Sequence, residues 1–113
     1  MLKRLALDRI FHALSDPTRR WIVEDLCHRE ASVQRLAEPL PVALPTILRH
    51  LKVLERSGLI RTRKIGRERS CCIEPQALRI VDEWVTQHRH VWDRPTVRQD
   101  PAQGRSAWRL YFE

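Results

Sequence analysis

The sequence predicts a mainly α-helical domain that carries one small β-hairpin, and three observations predict it. Apolar residues recur at helical spacing over most of residues 3–57 and again over 75–93. Only residues 59–73 change to a strand-like pattern, around a turn at Ile65-Gly66-Arg67-Glu68. The chain has 113 residues, 42% hydrophobic and 31% charged, a globular balance with room for one modest core.

The first helix is expected over 3–14, where Leu5, Leu7, Ile10, Phe11 and Leu14 keep helical spacing. Ser15-Asp16-Pro17 ends it and starts the next: Asp16 is a good N-cap, and a proline at the first helical position gives up no useful hydrogen bond. The second helix then runs from Pro17 to about His28, burying Ile22, Val23, Leu26 and Cys27, with Thr18, Arg19 and Arg20 at its exposed start. Ala31-Ser32 opens a short third helix, 32–38, capped by Ser32 with Val33, Leu36 and Ala37 inward. Pro39 and Pro41 forbid its continuation.

A fourth helix is expected from Pro45 to Ser57, closed by Gly58 in the left-handed region. Its apolar stripe is Ile47, Leu48, Leu51 and Leu54, leaving Arg49, His50, Lys52 and Arg56 toward solvent or a partner. The hairpin follows, and Pro75 starts a last helix to about Asp93. Leu78, Val81, Val85, His88 and Trp92 form one stripe on that helix, and Ile80, Trp84 and Val91 a second, more apolar surface than a lone surface helix needs. From Arg94 the pattern dissolves into a polar stretch ending in Trp108, Tyr111 and Phe112. Residues 1–93 therefore read as one domain and 94–113 as a tail to which the sequence assigns no role.

Two short helices, 32–38 and 45–57, joined by a tight turn and followed by a basic hairpin make a winged helix-turn-helix. A helix fits the major groove, where base edges differ, while flanking cations hold phosphates. The formal net charge is +7, and it is placed for that use. Arg61, Arg63, Lys64, Arg67 and Arg69 crowd the hairpin with Glu68 as the nearby acid. The expected DNA-contacting set is Thr18, Arg19, Leu44, Thr46, Arg49, His50, Lys52, Arg63, Lys64, Arg67 and Arg69. Each of these cations has an ordinary alternative as a solvated charge, and His50 the alternative of packing within its helix turn.

The runs Phe11-His12-Ala13-Leu14-Ser15-Asp16-Pro17-Thr18-Arg19-Arg20, Pro45-Thr46-Ile47-Leu48-Arg49-His50-Leu51-Lys52-Val53-Leu54-Glu55 and Ser57-Gly58-Leu59-Ile60 resemble the arsenic-repressor (ArsR/SmtB) family. The resemblance covers about residues 5–92. It implies a homodimer built on the first and last helices, with Leu5, Leu7, Phe11, Leu78, Val81, Val85, His88 and Trp92 at the interface. It also implies a helix at 45–57 lying in the major groove, and repression of a nearby operator until a signal releases the protein. Ala43 departs from the pattern, in which a capping Ser is usual.

The family's metal sites are not expected here. Its paired-cysteine motif falls on Ser32 and Gln34, which are not soft-metal ligands. The other familiar site uses the last helix, but His88 and His90 point to different faces of it, and Trp84 stands two residues after Asp82, where a ligand would be wanted. Cys71 and Cys72, adjacent on a strand, alternate between faces, so one is expected in the core. A three-thiol site with Cys27 would need all three on one side; packing is the expected role of each.

The chain reads as no enzyme and as holding no cofactor: it has no Ser/His/Asp set, HExxH or Gly-rich phosphate loop. Its expected partners are a double-stranded DNA operator and a second copy of itself, with no metal ion and no membrane. The alternative is a protein-interaction module that kept the winged shape without binding DNA, and the basic wing argues against it. No apolar run approaches the roughly 20 residues that span a bilayer, and Met1-Leu2-Lys3-Arg4 leads into no signal-peptide core. Three cysteines with no CxxC pair fit a cytoplasmic protein with reduced thiols.

Overall fold

The computed structural model describes residues 2–93, so the tail from Arg94, with its aromatic cluster, lies outside the described residues. The elements are α1 (Leu2–Leu14), α2 (Pro17–His28), β1 (Ala31–Ser32), α3 (Val33–Ala37), α4 (Leu44–Arg56), β2 (Ile60–Ile65), β3 (Glu68–Ile73) and α5 (Pro75–Trp92).

Local chemistry sets most of the boundaries. Asp16 caps α2 by accepting from the Arg19 backbone N–H at 3.0 Å, with Pro17 in the first turn. Ser32 caps α3 by accepting from the Arg35 N–H at 3.2 Å. Ala43 stands at the N-cap of α4 and supplies no side-chain bond. At the other end of α4, Gly58 takes φ +84° while Leu59 N–H donates to Leu54 C=O and Gly58 N–H to Glu55 C=O. Those paired bonds make the Schellman ending, which requires the left-handed glycine.

The sheet is larger than a hairpin. It has three antiparallel strands in the order β1-β3-β2. Ala31 pairs with Cys71 and Ser32 with Ser70, so these two residues form an edge strand rather than the start of a helix. A two-residue strand has no period to detect, and Ser32 serves twice: its backbone pairs in the sheet and its hydroxyl caps α3. In the hairpin, Ile60 faces Ile73 and Ile65 faces Glu68. Gly66 has φ +63° and Arg67 has no positive φ, the pattern of a type II′ turn.

The core draws on nearly every element: Ile10 and Ala13 of α1, Ile22, Val23 and Leu26 of α2, Leu36 of α3, Ile47, Leu51 and Leu54 of α4, then Leu59, Ile60, Cys71 and Ala77. Val33 and Ala37 are partly buried against it, and two residues expected inside are exposed instead. Cys27 is exposed, because the buried stripe of α2 is completed by Ile22, Val23 and Leu26. Leu48 is 45% exposed, because Ile47, Leu51 and Leu54 alone keep α4 against the core. Of the adjacent cysteines, Cys71 is buried and Cys72 half-buried, as strand alternation requires.

The described residues fall into two units that divide within α5, after residue 81. In the first, Ala77 is buried and Leu78, Ile80 and Val81 pack against the core. In the second, every described residue is exposed, Val85, Val91 and Trp92 included. Among the described residues no helix is long and apolar enough to cross a membrane.

Candidate nucleic-acid interface

The candidate surface is built by α4 and the β2–β3 hairpin. With Ile47, Leu51 and Leu54 inward, helical geometry turns Pro45, Leu48, Arg49, Lys52 and Arg56 outward, and all five are exposed. Thr46 is half-buried on the flank of this face, with Arg49 Nη2 3.5 Å from its Oγ1. Leu44 stands exposed in the first turn.

His50 does not share that outward face. It is half-buried, its Nδ1 lies 3.2 Å from Arg19 Nη1 and its Nε2 4.0 Å from Asp16 Oδ2. Arg19 is likewise engaged within the molecule. Its Nε donates to Ala13 C=O at 2.7 Å and its Nη2 to His12 C=O at 3.2 Å, while Arg20 Nη1 donates to Leu14 C=O at 2.7 Å. These carbonyls end α1 and have no partner within that helix, so the two arginines close its C-terminus. The Arg19 N–H that reaches Asp16 is the main cause holding its carboxyl below the ordinary aspartate value, with His50 and the Arg19 charge adding to it. Thr18 is half-buried beside this cluster in sequence.

The hairpin carries the expected cations, but its acids come from further away than Glu68. Arg61 Nε meets Glu74 Oε2 at 2.8 Å, and Arg63 Nη2 lies 3.6 Å from Glu30 Oε1. Ser70 Oγ donates to the same Glu30 oxygen at 2.9 Å. Thr62 Oγ1 donates to Glu55 Oε1 at 3.2 Å and accepts from Arg69 Nη1 at 3.4 Å, which ties the hairpin to α4. The base of the wing is thus partly neutralised and anchored, and Lys64 and Arg67 remain exposed toward its tip with no ion pair among the described residues. Glu30 and Glu74 were missed because they flank the sheet in space; Glu74, one residue beyond the hairpin, was the available signal.

Among the described residues there is no group of three His, Cys, Asp or Glu side chains able to hold a metal ion. Ser32 and Gln34 border one shallow surface with Arg35 and Glu38, a set without soft donors. His88 lies with its Nδ1 2.8 Å from Trp84 C=O and its ring stacked on the Trp84 indole at a centroid distance of 4.4 Å. Cys71 is buried, and burial pushes its thiol up to about 11, so it is a neutral packing group at ordinary pH.

A family described as a helix-turn-helix domain matches residues 14–63, which include α2 through most of β2. The HTH-type transcriptional regulator Rv2034 of Mycobacterium tuberculosis is 44% identical over 71 residues, spanning 63% of this chain and 66% of that protein's length. The crystal structure of an ArsR-family transcriptional regulator superposes with a TM-score of 0.75 at 42% identity, covering 79% of this chain and 98% of that one. In fold alone, the chain is also similar to a homodimeric winged helix-turn-helix DNA-binding domain of Mycobacterium bovis, with a TM-score of 0.61 at 24% identity over 80% of this chain and 85% of that one.

Proposed function

The chain belongs to the ArsR family of helix-turn-helix transcriptional regulators, and from that premise we propose that it is a homodimeric repressor that seats α4 in the major groove of an operator near the promoter it controls. The observation that carries the reading is one surface: the outward face of α4, with Arg49, Lys52 and Arg56, beside a hairpin whose tip presents Lys64 and Arg67. A helix sized for the groove with phosphate-binding cations beside it is what sequence-reading proteins need.

Within this reading Arg49, Thr46 and Leu44 meet base edges, while Lys52, Lys64, Arg67 and Arg69 meet phosphates. Arg63 contributes less, since Glu30 already faces it. Arg19 and His50 hold α1, α2 and α4 in register and act on DNA through that register rather than by touching it. Thr18 is kept as a backbone contact at the start of α2.

Residues 1–93 act as the DNA-binding and dimerisation domain. A second copy covers apolar residues that stand exposed, Leu5 on α1 and Val85 and Trp92 on α5, and Phe11 joins that contact. Leu7, Leu78 and Val81, already half-buried, border that contact, and His88 joins it. The signal that releases the operator is not a soft metal held by thiolates on α3, a reading supported by Ser32 and Gln34, which supply no sulfur there.

The test is fluorescence anisotropy with a labelled random-sequence duplex and a panel of candidate promoter duplexes. Binding should weaken steeply with salt, with a log–log slope of about −0.9 for each phosphate contacted, and one promoter should bind far more tightly than the random duplex. Affinity that is indifferent to salt, or no duplex binding at all, would overturn the reading.

A further inference from the structure

We propose that Leu44 and Leu48 are specificity-determining residues that read the 5-methyl groups of thymine in the major groove. The inference rests on the DNA-binding reading above and goes beyond it by naming a base.

Leu44 is 52% exposed and Leu48 45% exposed. Four residues apart, they share one flank of α4. The buried stripe of Ile47, Leu51 and Leu54 is complete without them, so the fold does not require an aliphatic side chain at either position. Leu48 also lines the cleft between α4 and the hairpin, together with Arg49, Lys52, Glu55, Thr62 and Arg69.

That setting selects the occupant. Two aliphatic side chains beside Arg49, Lys52 and Arg69, with Lys64 and Arg67 at the wing tip, match a surface that is polyanionic along its rims and apolar only at isolated points. The major groove of a duplex is such a surface, and the C5 methyl of thymine is the apolar group it displays. Cations at the rims meet phosphates while the leucines remain dry against methyls. An apolar protein helix would leave the same cations facing no charge.

Each methyl removed from water against a leucine contributes about 0.8 kcal/mol, or about fourfold in affinity. The test begins with duplexes enriched by the full chain from a random-sequence pool. These are resynthesised with deoxyuridine in place of thymine, one position at a time. The exchange deletes one methyl and leaves every hydrogen-bonding group of the base edge in place.

The unmodified protein should lose about fourfold at one or two positions in each half-site. Leu48→Ala and Leu44→Ala proteins should each lose that sensitivity at the position their leucine faced, as a double-mutant cycle between side chain and methyl reports. Both leucines are exposed, and matching melting temperatures verify that the variants are folded. Enriched duplexes indifferent to deoxyuridine, duplexes without thymine, or sensitivity unchanged in both variants would each overturn the inference while leaving DNA binding intact. A pool that yields no enriched duplex would overturn the DNA-binding reading itself, and this inference with it.

Discussion

Asp16 joins three helices: it caps α2, faces His50 of α4, and shares Arg19 with the end of α1. Replacing it with alanine removes the cap, at a cost of about 1 kcal/mol, which lowers the melting temperature by roughly 4–8 °C in a domain of this size. Because its folded-state pKa is lowered, the carboxylate contributes stability above the ordinary aspartate range, and that contribution is lost as pH falls through the lowered value. Asp16→Asn keeps a capping oxygen, so its melting temperature should stay close to native at pH 7 and fall less steeply in acid. An acid limb unchanged in Asp16→Asn would assign the pH dependence to another group. Cys71 has the opposite sign. Burial raises its pKa to about 11, so its contribution is complete below the ordinary thiol value and fades as pH rises toward 11. At pH 8, iodoacetamide should alkylate exposed Cys27 in the native protein and Cys71 only after denaturant is added, as peptide mass mapping resolves. Equal rates at the two thiols would show that the sheet opens in the native state.

Among the elements, the wing and α4 are proposed to divide the work on DNA. Arg67→Ala should weaken binding to every duplex alike and lower the salt slope by about one. Arg61→Ala is the control within the same strand pair: Glu74 already holds that guanidinium at 2.8 Å, so the salt slope should remain as it was. A slope lowered equally by both would mean that the ion pair breaks on binding. Arg49 lies on the exposed face of α4, so Arg49→Ala should leave stability within about half a kcal/mol. It should nevertheless cost roughly 1–3 kcal/mol on the operator, and much less on random duplex. A variant that melts normally and binds its operator at full strength would remove Arg49 from the reading set.

For the whole molecule, the decisive quantity is the apolar surface that one chain leaves uncovered. Leu5 on α1 and Val85, Val91 and Trp92 on α5 stand exposed. Light scattering at micromolar protein should report twice the 13.4 kDa chain mass. Val85→Glu changes an exposed position that the core does not use, so it should convert dimer to folded monomer and weaken operator binding more than random-duplex binding. A native protein that elutes as a monomer, or a Val85→Glu protein that remains a dimer, would remove α5 from the interface.

The helices, their caps, the hairpin and its turn are legible along the chain, because each depends on residues a few positions apart: Asp16 with Arg19, Gly58 with Leu54, Gly66 within its turn. The family was legible for the same reason, in contiguous runs around Asp16-Pro17 and Pro45–Glu55. Whatever depends on distant partners follows from the packing of the elements. Residue type assigns Arg19 and His50 to DNA, while their partners within the molecule, carbonyls at the end of α1 and Asp16, come beside them only once α1, α2 and α4 meet. Arg61 and Arg63 looked uncompensated until Glu74 and Glu30 came beside the sheet, and Ala31-Ser32 became a strand only when β3 offered it an edge. Leu48 counted as core by hydrophobicity, yet the i, i+4, i+7 set of Ile47, Leu51 and Leu54 fills the contact and turns it outward. Periodicity reports which face of an element is buried; which charges and apolar groups remain free for a partner is fixed by what the fold places next to them.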